Sequence, residues 1–129
     1  LSWYSRVSHV KTLPAGRQIG YGGTYITEKD TRVATVPVGY ADGYRRAYSN
    51  KTQVLIGGKK VNVLGRIAMD YMLIDITEVD CAVGDPVILL GSDGINSVSA
   101  QELARFGESV SGEVTCAISR RVRRIYTED

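Results

Sequence analysis

Short runs of β-branched and other apolar residues alternate with glycine-containing turns along most of the chain. Runs of this kind, bounded by turn residues, predict β-strands. The predicted strands are Leu1 to Val10, Arg32 to Tyr40, Gln53 to Ile56, Lys59 to Leu64, Ile67 to Ile76 and Pro86 to Leu90. Gly57 and Gly58 lie between two of these runs, and because glycine readily adopts positive φ angles, the pair predicts a tight hairpin.

Helical signals are confined to the last third of the chain. Ser99 and Glu102 have the spacing of a capping box, and Gly107 marks the predicted end of that helix. A second short helix over Val114 to Ser119 is an open alternative to a strand, because valine and threonine are β-branched. The sequence therefore predicts a mainly β fold, either a small β-barrel-like domain or a sandwich, with one or two short helices.

The composition is that of one soluble globular domain covering residues 1–129. Of the 129 residues, 43% are hydrophobic and 23% charged, and 16 Lys and Arg against 14 Asp and Glu give a net charge of +2. That charge is far below what a dedicated nucleic-acid binder carries. The longest apolar runs, such as Val87 to Leu90, are much shorter than the roughly 20 residues that a membrane span needs.

Two cysteines, Cys81 and Cys116, lack the spacing of a zinc site or of a disulfide framework. We therefore expect two free thiols and a cytoplasmic location. The chain opens at Leu1 rather than at a methionine, so we also expect it to be a segment of a longer polypeptide.

Three segments are unusual for a purely structural β domain: residues 20–25, 37–46 and 65–70. The first surrounds Tyr21 with glycines and is typical of either a plain turn or a loop at a binding site. The second combines tyrosines, an aspartate and two arginines, which suits either a solvated strand end or a site for an anionic ligand.

Other candidate chemistry is sparse. The single histidine, His9, lies in an alternating pattern and is interpreted as a surface strand residue. The arginine-rich run over residues 120–124 suits either phosphate binding or a solvated edge. A small β-barrel that binds single-stranded nucleic acid through its tyrosines and this run remains an alternative from another functional class.

Five segments in this order are similar to the C-terminal domain of the bacterial alanine racemase family. They are Ser5-Arg6-Val7 with Val10-Lys11 and Leu13-Pro14-Ala15-Gly16, Gly20-Tyr21-Gly22-Gly23-Thr24-Tyr25, Pro37-Val38-Gly39-Tyr40-Ala41-Asp42-Gly43, Gly65-Arg66-Ile67-Ala68-Met69-Asp70, and Ala117-Ile118-Ser119-Arg120-Arg121-Val122. The resemblance covers nearly the whole chain.

This resemblance implies the C-terminal domain of a pyridoxal-phosphate enzyme that interconverts L- and D-alanine for peptidoglycan, a domain that supplies half of an active site. It implies a preceding α/β barrel that holds the cofactor on a lysine, and a head-to-tail homodimer in which this domain serves the partner's active site. The expected partners are thus a small amino acid and the barrel of a second subunit, with no nucleic acid and no membrane. The motif around the cofactor lysine is absent from the sequence, so we expect the isolated chain to be inactive.

The resemblance also implies roles for individual residues. Tyr21 matches the acid/base that exchanges the Cα proton on one face of the substrate. Met69 matches the residue whose backbone amide holds the substrate carboxylate. Tyr40 matches an inner gate of the substrate entrance, and Arg46 and Arg66 match polar residues slightly farther out.

Two positions depart from the family pattern. Ala68 stands where the family often has a cysteine, and Arg120 stands where it usually has a tyrosine that contacts the cofactor phosphate. The resemblance therefore assigns Arg120 to cofactor binding, since arginine pairs strongly with phosphate. A longer cationic side chain at that position also keeps serine, or another amino acid, open as the substrate.

Overall fold

The fold, a computed structural model, is described for residues 1–19, 25–107 and 111–126, and within these ranges it is mainly β. The strands are β1 (Trp3–Arg6), β2 (His9–Leu13), β3 (Gln18–Ile19), β4 (Tyr25–Ile26), β5 (Thr31–Val36), β6 (Gln53–Ile56), β7 (Lys59–Leu64), β8 (Met72–Asp75), β9 (Pro86–Ser92) and β10 (Ser97–Val98). The helices are α1 (Ala100–Phe106) and α2 (Ser111–Ala117), with short 3-10 helices at Tyr40–Asp42 and Arg46–Tyr48. The prediction of a small β-barrel-like domain with short helices is confirmed.

One antiparallel sheet runs in the order β1-β9-β6-β7-β8-β5-β2, with β10 beside β9 and a separate ribbon of β3 and β4. Its two edge strands, β1 and β2, are separated in sequence only by Val7 and Ser8. The Val7 N–H donates to Asp85 O at 2.9 Å, and the Ser8 N–H donates to Thr35 O at 2.9 Å. The chain thus passes from one edge to the other within two residues, which curls the sheet into a half-barrel.

This crossing corrects the prediction of one strand over Leu1 to Val10, because the two halves pair with different neighbours. The prediction of a strand over Ile67 to Ile76 is wrong in its first part, since β8 begins only at Met72. Before Met72, backbone N–H groups bond to side-chain oxygens instead of to a neighbouring strand. The Gly65 N–H donates to Asn50 Oδ1 at 2.6 Å, and the Ile67 N–H donates to Ser49 Oγ at 2.8 Å. Residues 65–71 therefore form a loop.

The hairpin and the capped helix are confirmed. Gly57 and Gly58 have φ angles of 58° and 78°, as a primed two-residue turn between β6 and β7 requires. Ser99 Oγ accepts a hydrogen bond from the Glu102 N–H at 3.0 Å, and α1 ends at Gly107. The second helical alternative is also the one observed, as α2.

The core lies inside the curl of the sheet and is closed by α1 and α2. It contains an aromatic cluster to which residues 37–48 contribute two tyrosines. The Tyr44 ring packs edge to face on Trp3 and Tyr48, at centroid distances of 5.9 and 5.0 Å. The Tyr44 hydroxyl lies 2.8 Å from Thr52 Oγ1, and burial raises the pKa of Tyr44 above its usual value. Tyr44 is therefore a neutral structural residue.

The thiols of Cys81 and Cys116 are both free, the first buried and the second exposed. Within the ranges described, neither helix has the length and apolarity needed to cross a bilayer. His9 lies exposed in β2, as predicted.

The central strand β8 provides a test of the fold. Ile74 is 0% exposed, so we expect Ile74→Ala to lower the free energy of unfolding by about 2–5 kcal/mol through lost burial and the cavity left behind. Ile95 is 79% exposed, and Ile95→Ala is the matched control, with an expected change below about 0.5 kcal/mol. Urea titration followed by circular dichroism measures both, and equal losses would contradict the assigned core.

Candidate functional site

Two loops meet at the edge of the sheet where β5 ends and β8 begins. The first loop, residues 37–48, contacts the second, residues 65–71, through backbone atoms. The Tyr40 N–H donates to Ala68 O and the Ala41 N–H donates to Met69 O, each at 3.0 Å. At Gly39 an added Cβ would lie 2.2 Å from Ala68 O, so only glycine permits this approach.

A pocket of about 270 Å³ opens between the two loops. Its lining residues are Tyr40, Arg46, Arg66, Ile67, Ala68 and Met69. Ile67 is buried, whereas Tyr40 and Met69 are about half exposed. The Arg46 guanidinium carbon lies 5.9 Å from the centroid of the Tyr40 ring, within the range of a cation–π contact.

The four residues Tyr40, Arg46, Arg66 and Met69, which sequence analysis assigned to substrate binding, thus lie together in one pocket. Two guanidinium groups in a small pocket with apolar residues attract a carboxylate and limit the size of what enters. Their roles stay predictions, but the arrangement is chemically suited to a small anionic or zwitterionic ligand.

A charged cluster that joins the two loops was not found by sequence analysis. Arg121 Nη2 donates to Asp70 Oδ1 at 2.8 Å, and Arg121 Nε lies 3.3 Å from Asp42 Oδ1. The hydrogen bond to Asp70, and next the charge of Asp42, raise the pKa of the Arg121 guanidinium. The sequence carried one signal for this cluster: three of the family-like segments each contain one of its charged residues.

Asp42 is fixed by further contacts within the cluster. Its Oδ2 accepts a hydrogen bond from the Gly39 N–H at 3.0 Å. Its backbone oxygen accepts one from the Ser119 N–H at 2.9 Å. The segment after α2 is therefore joined to the 37–48 loop as well as to the 65–71 loop.

Two predicted site residues remain, Arg120 and Tyr21. Arg120 is exposed in the turn after α2 and is not among the lining residues. Tyr21 falls within residues 20–24, which lie outside the described part of the chain between β3 and β4. Its assignment as the acid/base stays a prediction.

The sequence matches the family model described as alanine racemase, C-terminal domain, over residues 1–126. The chain belongs to this family. The alanine racemase of Halothermothrix orenii is 45% identical over 127 residues, which are 98% of this chain and 34% of that relative. The chain thus spans about a third of the length of the curated alanine racemases it matches.

Solved alanine racemases share the fold. The enzyme from D-cycloserine producing Streptomyces lavendulae superposes with a TM-score of 0.94 at 36% identity, covering 99% of this chain and 34% of that one. The enzyme from Bartonella henselae, solved with covalently bound pyridoxal phosphate, has a TM-score of 0.88 at 29% identity and covers 96% and 34%. The family resemblance is confirmed, whereas the nucleic-acid and serine alternatives gain no support.

The pocket between the two loops does not form a complete site for the pyridoxal phosphate found in the Bartonella henselae enzyme. A covalent link needs a lysine amine, and none of the residues lining the pocket is a lysine. Lys59 donates to Glu78 O at 2.7 Å, and Lys60 pairs with Glu102 at 2.9 Å, so both are engaged elsewhere. The pocket therefore offers no amine for a covalent link to the cofactor.

The close approach at Gly39 generates a prediction. Its backbone is extended at φ −148°, so alanine is permitted there in conformation, but the Cβ would collide with a backbone oxygen. We expect Gly39→Ala to lower the free energy of unfolding by about 1–3 kcal/mol.

Gly112→Ala is the matched control, because Gly112 lies in α2 with nothing within 4 Å of an added Cβ. Alanine is also the better helix former, so the control is expected to be neutral or slightly stabilising. Urea denaturation measures both variants, and an unchanged midpoint for Gly39→Ala would contradict the contact.

Proposed function

We propose that this domain supplies the substrate-entrance wall and the acid/base tyrosine of a cytoplasmic, pyridoxal-phosphate-dependent alanine racemase. That enzyme interconverts L- and D-alanine, the D-isomer being used for peptidoglycan. The observation that carries the proposal is the pocket that unites Tyr40, Arg46, Arg66 and Met69, in a chain that belongs to the alanine racemase C-terminal domain family.

The entrance wall selects by charge and size. Arg46 and Arg66 attract the carboxylate of the amino acid, and Tyr40 narrows the opening beside Arg46. The Met69 N–H has no acceptor among the residues that the structure describes, so it is available to donate to that carboxylate. A pocket of about 270 Å³ suits a small zwitterion such as alanine.

Tyr21 is proposed to carry the proton on one face of the substrate. Its phenolic oxygen takes the proton from Cα, or returns one, while a lysine outside this chain serves the opposite face. When bound, the cofactor accepts the electron pair left at Cα. An unperturbed phenol titrates near pH 10, so a neighbouring cation or hydrogen-bond donor is needed to stabilise the phenolate at neutral pH.

The cofactor lysine is proposed to lie in a preceding α/β barrel, with residues 1–129 as the C-terminal β domain. Each such domain then serves the barrel of a second subunit in a head-to-tail homodimer. Two observations support this division: the chain covers about a third of its curated relatives, and no lysine lines the pocket. Arg120 is proposed to contact the cofactor phosphate across this interface.

Substitution of Tyr21 tests the proton transfer in the full-length enzyme. Tyr21→Phe keeps the ring but removes the proton carrier, so we expect kcat to fall about 10²–10⁴-fold in both directions with cofactor absorbance unchanged. Tyr4→Phe, at an exposed position of β1, is the control and is expected to keep parental turnover. Turnover by Tyr21→Phe within a few-fold of the parent would refute the role.

The isolated 129-residue chain tests whether the cofactor lysine lies in a different domain. Mixed with pyridoxal phosphate, it is expected to develop no absorbance band of a lysine-linked cofactor and no racemase activity, because the family's motif around the cofactor lysine is absent from its sequence. The full-length enzyme is the positive control. A lysine-linked band accompanied by turnover in the isolated chain would contradict the proposal.

A further inference from the structure

We infer that Arg121 is a positioning residue that links the two loops lining the pocket from the segment after α2. The inference rests on the proposed function for its catalytic readout, but its geometry is independent of it. Asp42 belongs to the 37–48 loop, Asp70 to the 65–71 loop and Arg121 to the segment after α2. A single guanidinium contacts both carboxylates, at 3.3 Å and 2.8 Å.

The two carboxylates are next to the pocket residues in the chain. Tyr40 and Asp42 share one 3-10 helix, and Met69 immediately precedes Asp70. The loops also touch through the bond from the Tyr40 N–H to Ala68 O at 3.0 Å. A shift of either carboxylate is therefore transmitted through one or two residues of backbone to the wall of the pocket.

Exposure argues against a role in stability. The side chains of Arg121 and Asp70 are 51% and 59% exposed, and ion pairs at such positions contribute little to the free energy of unfolding. Asp42 is only 13% exposed and already bonded to the Gly39 N–H, so it provides the fixed end of the connection. The exposed Asp70 end is the one that Arg121 holds in place.

Arginine suits this role better than lysine. Its planar guanidinium presents donors in a rigid fork, so Nε and Nη2 address two carboxylates at once, whereas an ammonium is a point charge on a flexible stem. Arg121 also neutralises carboxylates that neighbour a pocket containing Arg46 and Arg66. Without it, Asp70 is free to repel the substrate carboxylate or to compete with it for these cations.

The experiment uses the full-length enzyme and three variants. In Arg121→Gln we expect KM for alanine to rise about 5- to 20-fold with kcat within about two-fold, because the entrance wall shifts while the chemistry is unchanged. Arg121→Lys restores the charge without the fork and is expected to give a smaller rise in KM. Arg123→Gln removes a neighbouring exposed charge that forms no ion pair with any described residue, and it is expected to match the parent.

Amide hydrogen exchange provides a readout that needs no turnover. The Tyr40 and Ala41 amides, which donate to the 65–71 loop, are expected to exchange several-fold faster in Arg121→Gln than in Arg123→Gln. Tm is expected to stay within about 2 °C of the parent in all three variants.

Each result has one interpretation. Equal KM and equal exchange in Arg121→Gln and Arg123→Gln would overturn the inference. A large loss of Tm, with a loss of kcat and no change in KM, would assign Arg121 a merely structural role and would also overturn it. A parent enzyme without racemase activity would instead refute the proposed function, and the exchange comparison alone would then decide the inference.

Discussion

The backbone contact between the two loops at the pocket is the constraint on which the rest of the site depends. β5 and β8 are antiparallel neighbours with Val36 opposite Met72, so the chain leaves one strand at the edge where it enters the other. At Gly39 the two backbones then approach too closely for any side chain. Because backbone atoms set this separation, the Cα positions of Tyr40 and Met69 are held on neighbouring loops at the same pocket.

Charge is sorted around this edge in a way that the net charge of +2 does not reveal. Arg46 and Arg66 line the pocket, whereas Asp42 and Asp70, each one or two residues from a lining residue in the sequence, contact Arg121. The residues lining the pocket thus include two cations and no carboxylate, although acidic residues lie next to them in the sequence. The arrangement of charges, and not their total, therefore decides which groups a ligand would meet.

The sequence predicted best where local chemistry decides the structure. The Gly57 and Gly58 turn and the helix capped by Ser99 need only neighbouring residues, and both were predicted correctly. The division of the first predicted strand at Val7 was missed, because it depends on hydrogen bonds to segments remote in sequence. Arg121 was missed for the same reason, since its two partners come from different loops. The pocket residues were predicted correctly as one group, because two of the family-like segments contain most of them and a short 3-10 helix adds Arg46.

Two tyrosines of the 37–48 loop, four residues apart, have different structural roles. Tyr40 and Tyr44 each follow a glycine, and nothing in that local pattern separates them. Tyr44 is fully buried against Trp3, which lies on a distant strand, while Tyr40 is 45% exposed in the pocket. The core thus holds the loop by the ring of Tyr44 and leaves the ring of Tyr40 exposed in the pocket. Because the two rings are separate, the pocket can vary at Tyr40 without opening the core.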